Sequence, residues 1–397
     1  MHLLKRATVG LGLGLLTLVG SSAWQGALAA SNVAGHVYVN DNTAGVNTIA
    51  AFDRHADGTL TPVSGSPFAA GGAGKGAIVG SQGALQVTAD GRLLIAVDAG
   101  SNQLSVLRIR HDGSLSQVSG SPVSSGGIEP VSIAVHDDLV YVANEGNGTE
   151  GSNYTGFTLS DCGRLTPLAG STFALSNTAN PGDILFNPTG TNLIGIEVGT
   201  TVASTFRIDS FRVDEDGRLT PATGSPFAAQ SAGPFGSEFS PTDPRHLYVS
   251  NAHGGAGNGS VSAFNVSRHG VVTSIGSSPF ADGQTAPCWV EISHDGRYLF
   301  AVNTGSTSIS SYRILPGGSL SYLSSTPFNS GAGIRPFDAR LDPSGKNLYV
   351  VDAALDAVSA FAVAGGTLTE LPASPFKLPA GATPFGVVVT GDQEGEA

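Results

Sequence analysis

The chain has 397 residues, of which only 13% are charged, and it carries a formal net charge of −12 at pH 7. Nucleic acids and anionic lipids bind basic surfaces, so this charge excludes both as expected partners. The 55 glycines and 22 prolines alternate with β-branched runs, and therefore indicate hairpin turns rather than disorder.

The N-terminus has the pattern of a secretory signal peptide. Lys5 and Arg6 precede an apolar run over residues 7–20, and the small residues Ala27-Leu28-Ala29 follow. We predict a signal peptide over residues 1–30, cleaved after Ala29 or Ala30. The apolar run is too short to span a bilayer. The sequence thus predicts a secreted or periplasmic protein without membrane insertion.

A short segment related to Ser-Pro-Phe recurs seven times after a turn and an apolar hairpin arm. Successive copies are 55, 50, 54, 53, 48 and 48 residues apart. A period of about 40–50 residues built from short strands is typical of a β-propeller with one blade per repeat. We therefore predict an all-β, seven-bladed propeller over residues 31–391, followed by an acidic tail over 392–397. The anchors are Ser66, Ser121, Ser171, Ser225, Ser278, Thr326 and Ser374.

The fifth repeat shows the order of elements within one blade. Asp-Gly and Gly-Gly pairs supply the positive φ that its tight hairpins require. The chain begins with a strand of the second type at 36–40 and ends with an inner strand at 384–390. We predict that these two share the seventh blade, which closes the ring and removes two sheet edges. The template strands are 287–293, 298–303 and 308–314.

The two cysteines, Cys162 and Cys288, fall in a turn of the second blade and on an inner strand of the fifth. Such positions are expected to lie beyond the ~7 Å Cα separation that a disulfide tolerates. We predict two free, half-buried thiols.

Several repeated elements carry a resemblance to a known family. They are second strands such as Tyr141-Val-Ala-Asn144, turn-and-strand elements such as Asp57 to Pro62 and Asp216 to Pro221, and the Ser-Pro-Phe segments. Over residues 33–390 the chain resembles the seven-bladed lactonase-type propellers, which include bacterial 6-phosphogluconolactonase and fungal carboxymuconate-lactonizing enzyme. The resemblance implies a propeller fold and a lactonase-like or cycloisomerase-like activity.

The resemblance also extends to particular residues. Active members share a Gly-Pro-Arg-His stretch on one inner strand and an Asn-Glu pair that ends the following strand. The corresponding residues here are Asn180-Pro-Gly-Asp183 and Glu197, and an earlier Pro-His segment of the family is matched by Glu129-Pro-Val131. The acid is therefore kept as Glu197, while the family's basic residues are absent at these two places.

Alternation along the inner strands places a polar set toward the central channel. Glu238 and Glu291 are expected to be neighbours, with Arg340 on the next blade. Two adjacent carboxylates repel each other, and the pKa of one of them rises. An acid/base pair, a bound Ca²⁺ or pairing with Arg340 could each relieve this repulsion. A water-filled channel with a structural polar lining is the alternative. The set is Gln86, Ser132, Asp183, Glu238, Glu291, Asp338 and Arg340.

Propeller ligands bind at the mouth of the channel, among the loops that lead into inner strands. Three basic residues, Lys75, Arg335 and Lys377, are expected on one side of this mouth, with acids on the other. Arg335 could clamp an anion in a bidentate manner, and His253 could act as a general base. In the alternative interpretation these are solvated surface charges.

Two functions remain open from the sequence. As an enzyme, the protein would open or close the lactone ring of a small sugar acid or carboxylate. As a non-catalytic protein, it would be an extracellular binding or scaffold propeller for a glycan or protein ligand. We expect a monomer that requires no cofactor, although Ca²⁺ could be held. The candidate acid/base residues are Glu197, Glu238, Glu291 and His253, and the candidate binding residues are Arg335, Arg340, Asp183, Trp289 and Lys75.

Overall fold

The computed structural model describes residues 33–331 and 333–392. These residues form seven antiparallel sheets, and we number the sheets as blades 1 to 7 in the order of their inner strands. The predicted signal peptide and residues 393–397 of the predicted tail lie outside the described residues. In the described part, no helix has the length and apolarity that crossing a bilayer requires.

Blade 7 begins with β1 Val33–Asn40, β2 Thr48–His55, β3 Leu60–Pro62 and β4 Phe68–Ala69. Blade 1 contains β5 Leu85–Val87, β6 Leu93–Asp98, β7 Gln103–Ile109, β8 Leu115–Gln117 and β9 Val123–Ser124. Blade 2 contains β10 Pro130–His136, β11 Leu139–Asn144, β12 Asn153–Leu159, β13 Leu165–Pro167 and β14 Phe173–Ala174. Blade 3 contains β15 Pro181–Phe186, β16 Asn192–Glu197, a 3₁₀ turn at Ala203–Thr205, β17 Arg207–Val213, β18 Leu219–Pro221 and β19 Phe227–Ala228.

Blade 4 contains β20 Pro234–Phe239, β21 His246–Asn251, β22 Ser260–Val266, β23 Val272–Ser274 and β24 Phe280–Ala281. Blade 5 contains β25 Pro287–Ile292, β26 Tyr298–Asn303, β27 Ser308–Ile314 and β28 Leu320–Pro327. Blade 6 contains β29 Pro336–Leu341, β30 Asn347–Asp352, β31 Ala357–Ala364, β32 Thr367–Glu370 and β33 Phe376–Lys377. The last strand, β34 Val387–Val389, completes blade 7.

The ring closes where the two ends of the chain meet. β34 pairs antiparallel with β1, with Val37 opposite Val389 and Val39 opposite Val387. β34 is thus the inner strand of blade 7, and β1 is its second strand. The predicted sharing of the seventh blade is confirmed, and so are the seven-bladed fold and the template strands of the fifth repeat.

All inner strands run in the same direction relative to the ring axis. Each begins at the face that carries the loops between second and third strands, and each ends at the opposite face. We call the first face the mouth and the second the far face. A residue's position along its inner strand therefore tells how deep it lies below the mouth.

Tyrosines of the second strands tie one blade to the next. Their hydroxyls donate to the carbonyl oxygen of a turn glycine in the following blade, at 2.9–3.0 Å. The rings themselves are fully buried, so each tyrosine combines apolar packing with a satisfied polar end. This explains the repeated Leu-Tyr-Val pattern. The pairs are Tyr38 with Gly113, Tyr141 with Gly217, Tyr248 with Gly318, and Tyr349 with Gly58.

The serine of the recurring segment has a structural role in six blades. There the outer edge breaks into two short strands, and the serine Oγ accepts a hydrogen bond from a backbone N–H of the third strand at 2.7–3.1 Å. The bond satisfies an N–H that the broken outer strand leaves unpaired. The pairs are Ser66 with Ala51, Ser121 with Val106, Ser171 with Gly156, Ser225 with Ser210, Ser278 with Ala263, and Ser374 with Ala360.

Both cysteines are free thiols, as predicted. Cys288 is buried on β25, but Cys162 is exposed rather than half-buried, because its turn projects from the far end of blade 2.

We expect Ser225→Ala to lower the free energy of unfolding by about 1 kcal/mol, since the buried N–H of Ser210 loses its acceptor. Equilibrium urea unfolding measures this change. Ser64→Ala, at an exposed turn position of blade 7, is the matched control and should have no measurable effect. Equal losses in the two variants would contradict the assigned role of the serine.

Candidate functional site

A loop segment fills the centre of the ring. Ser81-Gln82-Gly83, which we call the plug, directly precedes the inner strand of blade 1. Gln82 Nε2 donates to the Ser237 carbonyl at 2.9 Å, and Gln82 Oε1 accepts from the Val290 N–H at 3.1 Å. The Gln82 backbone N–H donates to the Gly182 carbonyl at 2.9 Å. One glutamine thus joins blades 3, 4 and 5.

The two flanking residues of the plug extend the contacts to two more blades. Ser81 Oγ donates to the Val131 carbonyl at 2.7 Å, and the Ile133 N–H donates to the Gly83 carbonyl at 2.9 Å, both in blade 2. The Gly83 N–H donates to Asp338 Oδ2 in blade 6 at 3.4 Å. The three residues therefore bond to the inner strands of blades 2 to 6.

The sequence analysis missed the plug, although two signals for it exist. The step from Ser66 to Ser121 is the longest of the six, so this repeat contains extra residues. The inner strand of blade 1 is also the shortest of blades 1 to 6, with three residues. The extra residues pass through the channel instead of extending that strand.

Trp289 supports the plug from blade 5. Its Nε1 donates to the Ser81 carbonyl at 2.7 Å, and only 1% of the residue is exposed. The indole packs between Phe235 and Phe337, with ring centroids 5.4 Å and 4.8 Å away. Trp289 was a candidate binding residue, but in this structure it has a packing role, because no face of the indole is open to a ligand.

Below the plug lies a cavity of about 200 Å³. Its charged lining residues are Asp183, Glu238 and Arg340, and Gln86 also lines it. Arg340 Nη1 is 3.0 Å from Glu291 Oε2, and the Leu341 N–H donates to Glu291 Oε1 at 2.8 Å. Glu291 and Arg340 are therefore neighbours, as predicted, and they form an ion pair. Burial alone would lower the pKa of Arg340, but Glu291, Asp338 and Glu238 raise it above its ordinary value.

Burial raises the pKa of the other carboxyl groups of the channel. Burial and the neighbouring Glu291 raise the pKa of Glu238 well above its ordinary value, and Glu238 Oε2 is buried without a hydrogen-bond partner. Burial raises the pKa of Asp183 to about 7, even though the Ser237 N–H and Oγ donate to its Oδ2 at 2.8 and 2.6 Å. The channel therefore holds fewer negative charges than its residues suggest.

The plug separates this cluster from the mouth. Plug residues contact the second to fourth positions of the inner strands, whereas Glu238, Glu291 and Arg340 are each the fifth residue of theirs. The charged cluster is thus deeper than the plug, on the far-face side. The plug therefore lies between these three candidate residues and the other candidates, Arg335 and His253, at the mouth.

A second cluster of charged residues lies at the mouth of blade 2. Lys75 forms an ion pair with Glu129. Glu129 adopts a φ of 55°, its N–H donates to Asn102 Oδ1 at 2.8 Å, and its carbonyl accepts from the Glu145 N–H at 2.9 Å. Lys75 was expected on a basic side of the mouth, away from the acids, and this expectation is wrong. We call Lys75, Glu129 and Glu145 the mouth triad.

Glu145 is the member of the mouth triad with a shifted pKa. Burial and the neighbouring Glu129 raise the pKa of Glu145 to about 7, with Lys75 opposing the shift. Lys75 is held in place through its backbone, since its N–H donates to Asn42 Oδ1 at 2.7 Å. A half-buried carboxyl that titrates near neutrality, next to an ammonium group, is suited to proton transfer.

Glu145 follows Asn144 at the end of β11, so blade 2 carries a complete Asn-Glu pair. Asn144 Nδ2 donates to Asn153 Oδ1 at 2.9 Å, which holds the strand end against β12. The sequence analysis transferred the family's acid to Glu197 and overlooked this pair. The dipeptide is readable in the sequence, but the contact between Glu145, Glu129 and Lys75 is not.

Glu197 lies in a different environment, inside blade 3. Burial and the neighbouring Asp209 raise the pKa of Glu197 to about 8, and Tyr154 donates to Asp209 Oδ2 at 2.9 Å. The residue ends a second strand, where every other blade also has a buried Asn or Asp. This position supports the fold in each blade. The equivalent residues are Asn40, Asp98, Asn144, Asn251, Asn303 and Asp352.

The remaining predicted residues lie on separate mouth loops. His253, in blade 4, packs against Gly233, and burial lowers its pKa, so the ring is neutral near pH 7. Arg335 is exposed at the start of blade 6, and its N–H donates to Asp352 Oδ1 at 3.1 Å. Lys377 lies on β33 in blade 6, and its Nζ donates to the Leu355 carbonyl.

We searched the described residues for side chains that could hold a metal ion together. Across residues 33–331 and 333–392, no group of three or more His, Cys, Asp or Glu side chains is arranged to hold a metal ion.

Known proteins share this fold, and a family model matches the second half of the chain. The lactonase, 7-bladed beta-propeller family matches residues 196–390. The resemblance predicted from the sequence is confirmed over these residues. The match runs from the end of β16 through the last inner strand, and blades 1 and 2 repeat the same pattern of strands. No curated protein matches the chain.

Solved structures of similar fold include two candidate 6-phosphogluconolactonases. The one from Bacteroides uniformis has a TM-score of 0.72 at 21% identity, over 90% of this chain and 99% of that chain. The one from Bacteroides fragilis has a TM-score of 0.70 at 19% identity, over 91% and 99%. A periplasmic gluconolactonase from Pseudomonas aeruginosa has a TM-score of 0.69 at 18% identity, over 89% and 98%. At these identities the likeness establishes the fold.

We predict an energetic coupling between Gln82 of the plug and Gly236 of blade 4. A Cβ added at Gly236 would lie 2.1 Å from Gln82 Oε1, so Gly236→Ala should displace the glutamine. We expect the single variants Gly236→Ala and Gln82→Ala each to lower the free energy of unfolding by roughly 1–3 kcal/mol.

The double variant tests that coupling. Once Gln82 is truncated, Gly236→Ala should cost less than it does in the wild type, because the clash with the amide is gone. Urea unfolding of the four proteins gives the interaction free energy. Strict additivity would contradict the contact between Gln82 and Gly236.

We predict that the free energy of unfolding depends on pH through Glu238. Because its folded pKa is raised, the native state keeps a proton that the unfolded state loses, and stability falls as pH rises above about 4.5. Glu238→Gln should therefore be more stable than wild type at neutral pH, by a difference that grows by at most about 1.4 kcal/mol per pH unit and vanishes near pH 4. The matched control is Glu215→Gln at an exposed turn. Thermal unfolding that shows no such pH-dependent gain for Glu238→Gln would contradict the assignment.

Proposed function

We propose that this protein hydrolyses the lactone of a small sugar acid at the mouth of blade 2. The observation that carries the proposal is the mouth triad, in which Glu145, with a pKa of about 7, lies beside the Lys75–Glu129 ion pair. The match of residues 196–390 to the lactonase family and the complete Asn144-Glu145 pair support it. The likeness to a periplasmic gluconolactonase points to the same class of substrate.

Glu145 would act as the general base. Its carboxylate takes a proton from a water molecule while the water oxygen bonds to the lactone carbonyl carbon. The tetrahedral intermediate then loses its ring C–O bond, and the leaving alkoxide takes the proton from Glu145. The product is the open-chain hydroxy acid, and Glu145 returns to its starting state.

Lys75 would stabilise the negative charge on the carbonyl oxygen during this step. Its side chain is 40% exposed, so a substrate oxygen can reach the ammonium while Glu129 holds it in place. Arg335 and His253 lie on other mouth loops and remain candidates for binding the anionic end of a larger substrate.

This chemistry uses the chain's own residues and requires no cofactor. The signal-peptide pattern of residues 1–30 and the periplasmic location given for the Pseudomonas relative support an exported enzyme. The substrate would then be an extracellular or periplasmic lactone.

The test is turnover of a panel of aldonolactones by the mature protein, measured below pH 8 with subtraction of spontaneous hydrolysis. Because Glu145 must be ionised to act as a base, kcat/KM should rise with pH through about 7. Glu145→Gln should lower kcat by roughly 100-fold or more with little change in KM. Glu150→Gln, an exposed acid of the same loop, is the control and should keep full activity.

The outcomes separate the two functions. Full activity in Glu145→Gln would exclude the mouth triad as the catalytic site. Binding of lactones or sugar acids without turnover would favour the alternative, a binding propeller, and Lys75→Ala should then weaken that binding.

A further inference from the structure

The outer edge of blade 5 differs from the edges of the other six blades. In those blades the edge is two short strands of two to four residues. In blade 5 it is one continuous strand of eight residues, β28. β28 pairs only with β27, from Leu320 opposite Ile314 to Pro327 opposite Ser308, with a β-bulge at Leu323.

The sequence explains this difference. In the other six blades a glycine or proline forms a turn between the two halves of the edge, one or two residues before the anchor serine of the repeat. Blade 5 has Leu323-Ser324-Ser325 there and Thr326 as its anchor. Without a turn residue the chain stays extended, and Thr326 pairs with Ile309 in the ladder. The turn residues elsewhere are Gly65, Gly120, Gly170, Gly224, Gly276 and Pro372.

The strand is open to solvent on its outer side. Ser321, Tyr322, Leu323 and Ser324 are all exposed, Tyr322 to 41% and Leu323 to 45%. A long exposed edge strand presents unpaired N–H and C=O groups, which natural proteins normally break, cover or charge. The six broken edges show the first of these devices. Blade 5 lacks it, and its edge is interrupted only by the single β-bulge at Leu323.

The strand is also free of charge. Residues 314–334 contain no Asp, Glu, Lys, Arg or His. Two copies of a chain with a net charge of −12 repel one another over most of their surfaces. At this edge they can approach without placing like charges opposite each other.

We propose that β28 pairs antiparallel with β28 of a second copy of this chain. A two-fold axis through the strand makes the contact self-complementary and joins the two four-stranded sheets of blade 5 into one continuous sheet. Tyr322 and Leu323 of one copy would then cover those of the other, and the free backbone groups would gain partners. The edge is at the rim of the ring, so both mouths stay open. This replaces the monomer expected from the sequence.

The test is the oligomeric state of the mature protein by sedimentation velocity over roughly a hundredfold range of concentration. We expect a dimer for the wild type. Leu323→Lys places a charge at the strand pair and should raise the dimer dissociation constant by about tenfold or more. Thr166→Lys makes the same charge change at an exposed position on the outer strand of blade 2 and should leave the dimer intact.

Hydrogen exchange supplies a readout that locates the contact. Amide groups of β28 should exchange more slowly at high protein concentration in the wild type and in Thr166→Lys, but not in Leu323→Lys. A wild type that is monomeric at every concentration would overturn the proposal. A dimer that persists in Leu323→Lys without protection of β28 would overturn it as well.

Discussion

The structure depends on the pairing of β34 with β1. These strands come from opposite ends of the propeller, and their ladder converts a row of seven sheets into a closed ring. Closure brings the inner strands of blades 2 to 6 close enough for one tripeptide, Ser81-Gln82-Gly83, to bond to all five of them. The tyrosine bonds from one blade to the next glycine turn then fix the rotation between neighbours. The mouth loops are held at defined separations as a result.

The plug divides the polar groups of the protein into two sets with different electrostatics. Below it, Glu238 and Asp183 share a confined space with the Glu291–Arg340 ion pair, and burial raises the pKa of both carboxyls. Above it, burial and the neighbouring Glu129 raise the pKa of Glu145 to about 7, but this half-buried carboxyl lies at the mouth beside Lys75. A general base must exchange its proton with substrate and solvent, and the mouth gives access to both. This difference is why we place the chemistry at the mouth of blade 2.

Repetition complicates the transfer of functional residues within such a family. The residue that ends each second strand is a buried Asn, Asp or Glu in every blade. Glu197 occupies this position in blade 3, whereas Glu145 comes one residue later in blade 2 and reaches the mouth. A one-residue difference along a strand end therefore separates a structural acid from a candidate catalytic one, since successive side chains point in different directions. The same reasoning applies to the outer edges, where the loss of one turn residue leaves β28 extended.

The sequence by itself determined the number of blades, the order of strands within each, and the closure of the ring. These follow from local signals, namely the seven anchors, the Asp-Gly turns, and the complementary strands at 36–40 and 384–390. It also predicted that Glu291 and Arg340 are neighbours, because they occupy equivalent positions on adjacent inner strands. Only the tertiary structure decided that Ser81-Gln82-Gly83 crosses the channel, that Trp289 is buried against this segment, and that Lys75 pairs with Glu129. The path of an irregular loop depends on contacts between residues far apart in the chain, and no local pattern of side chains encodes those contacts.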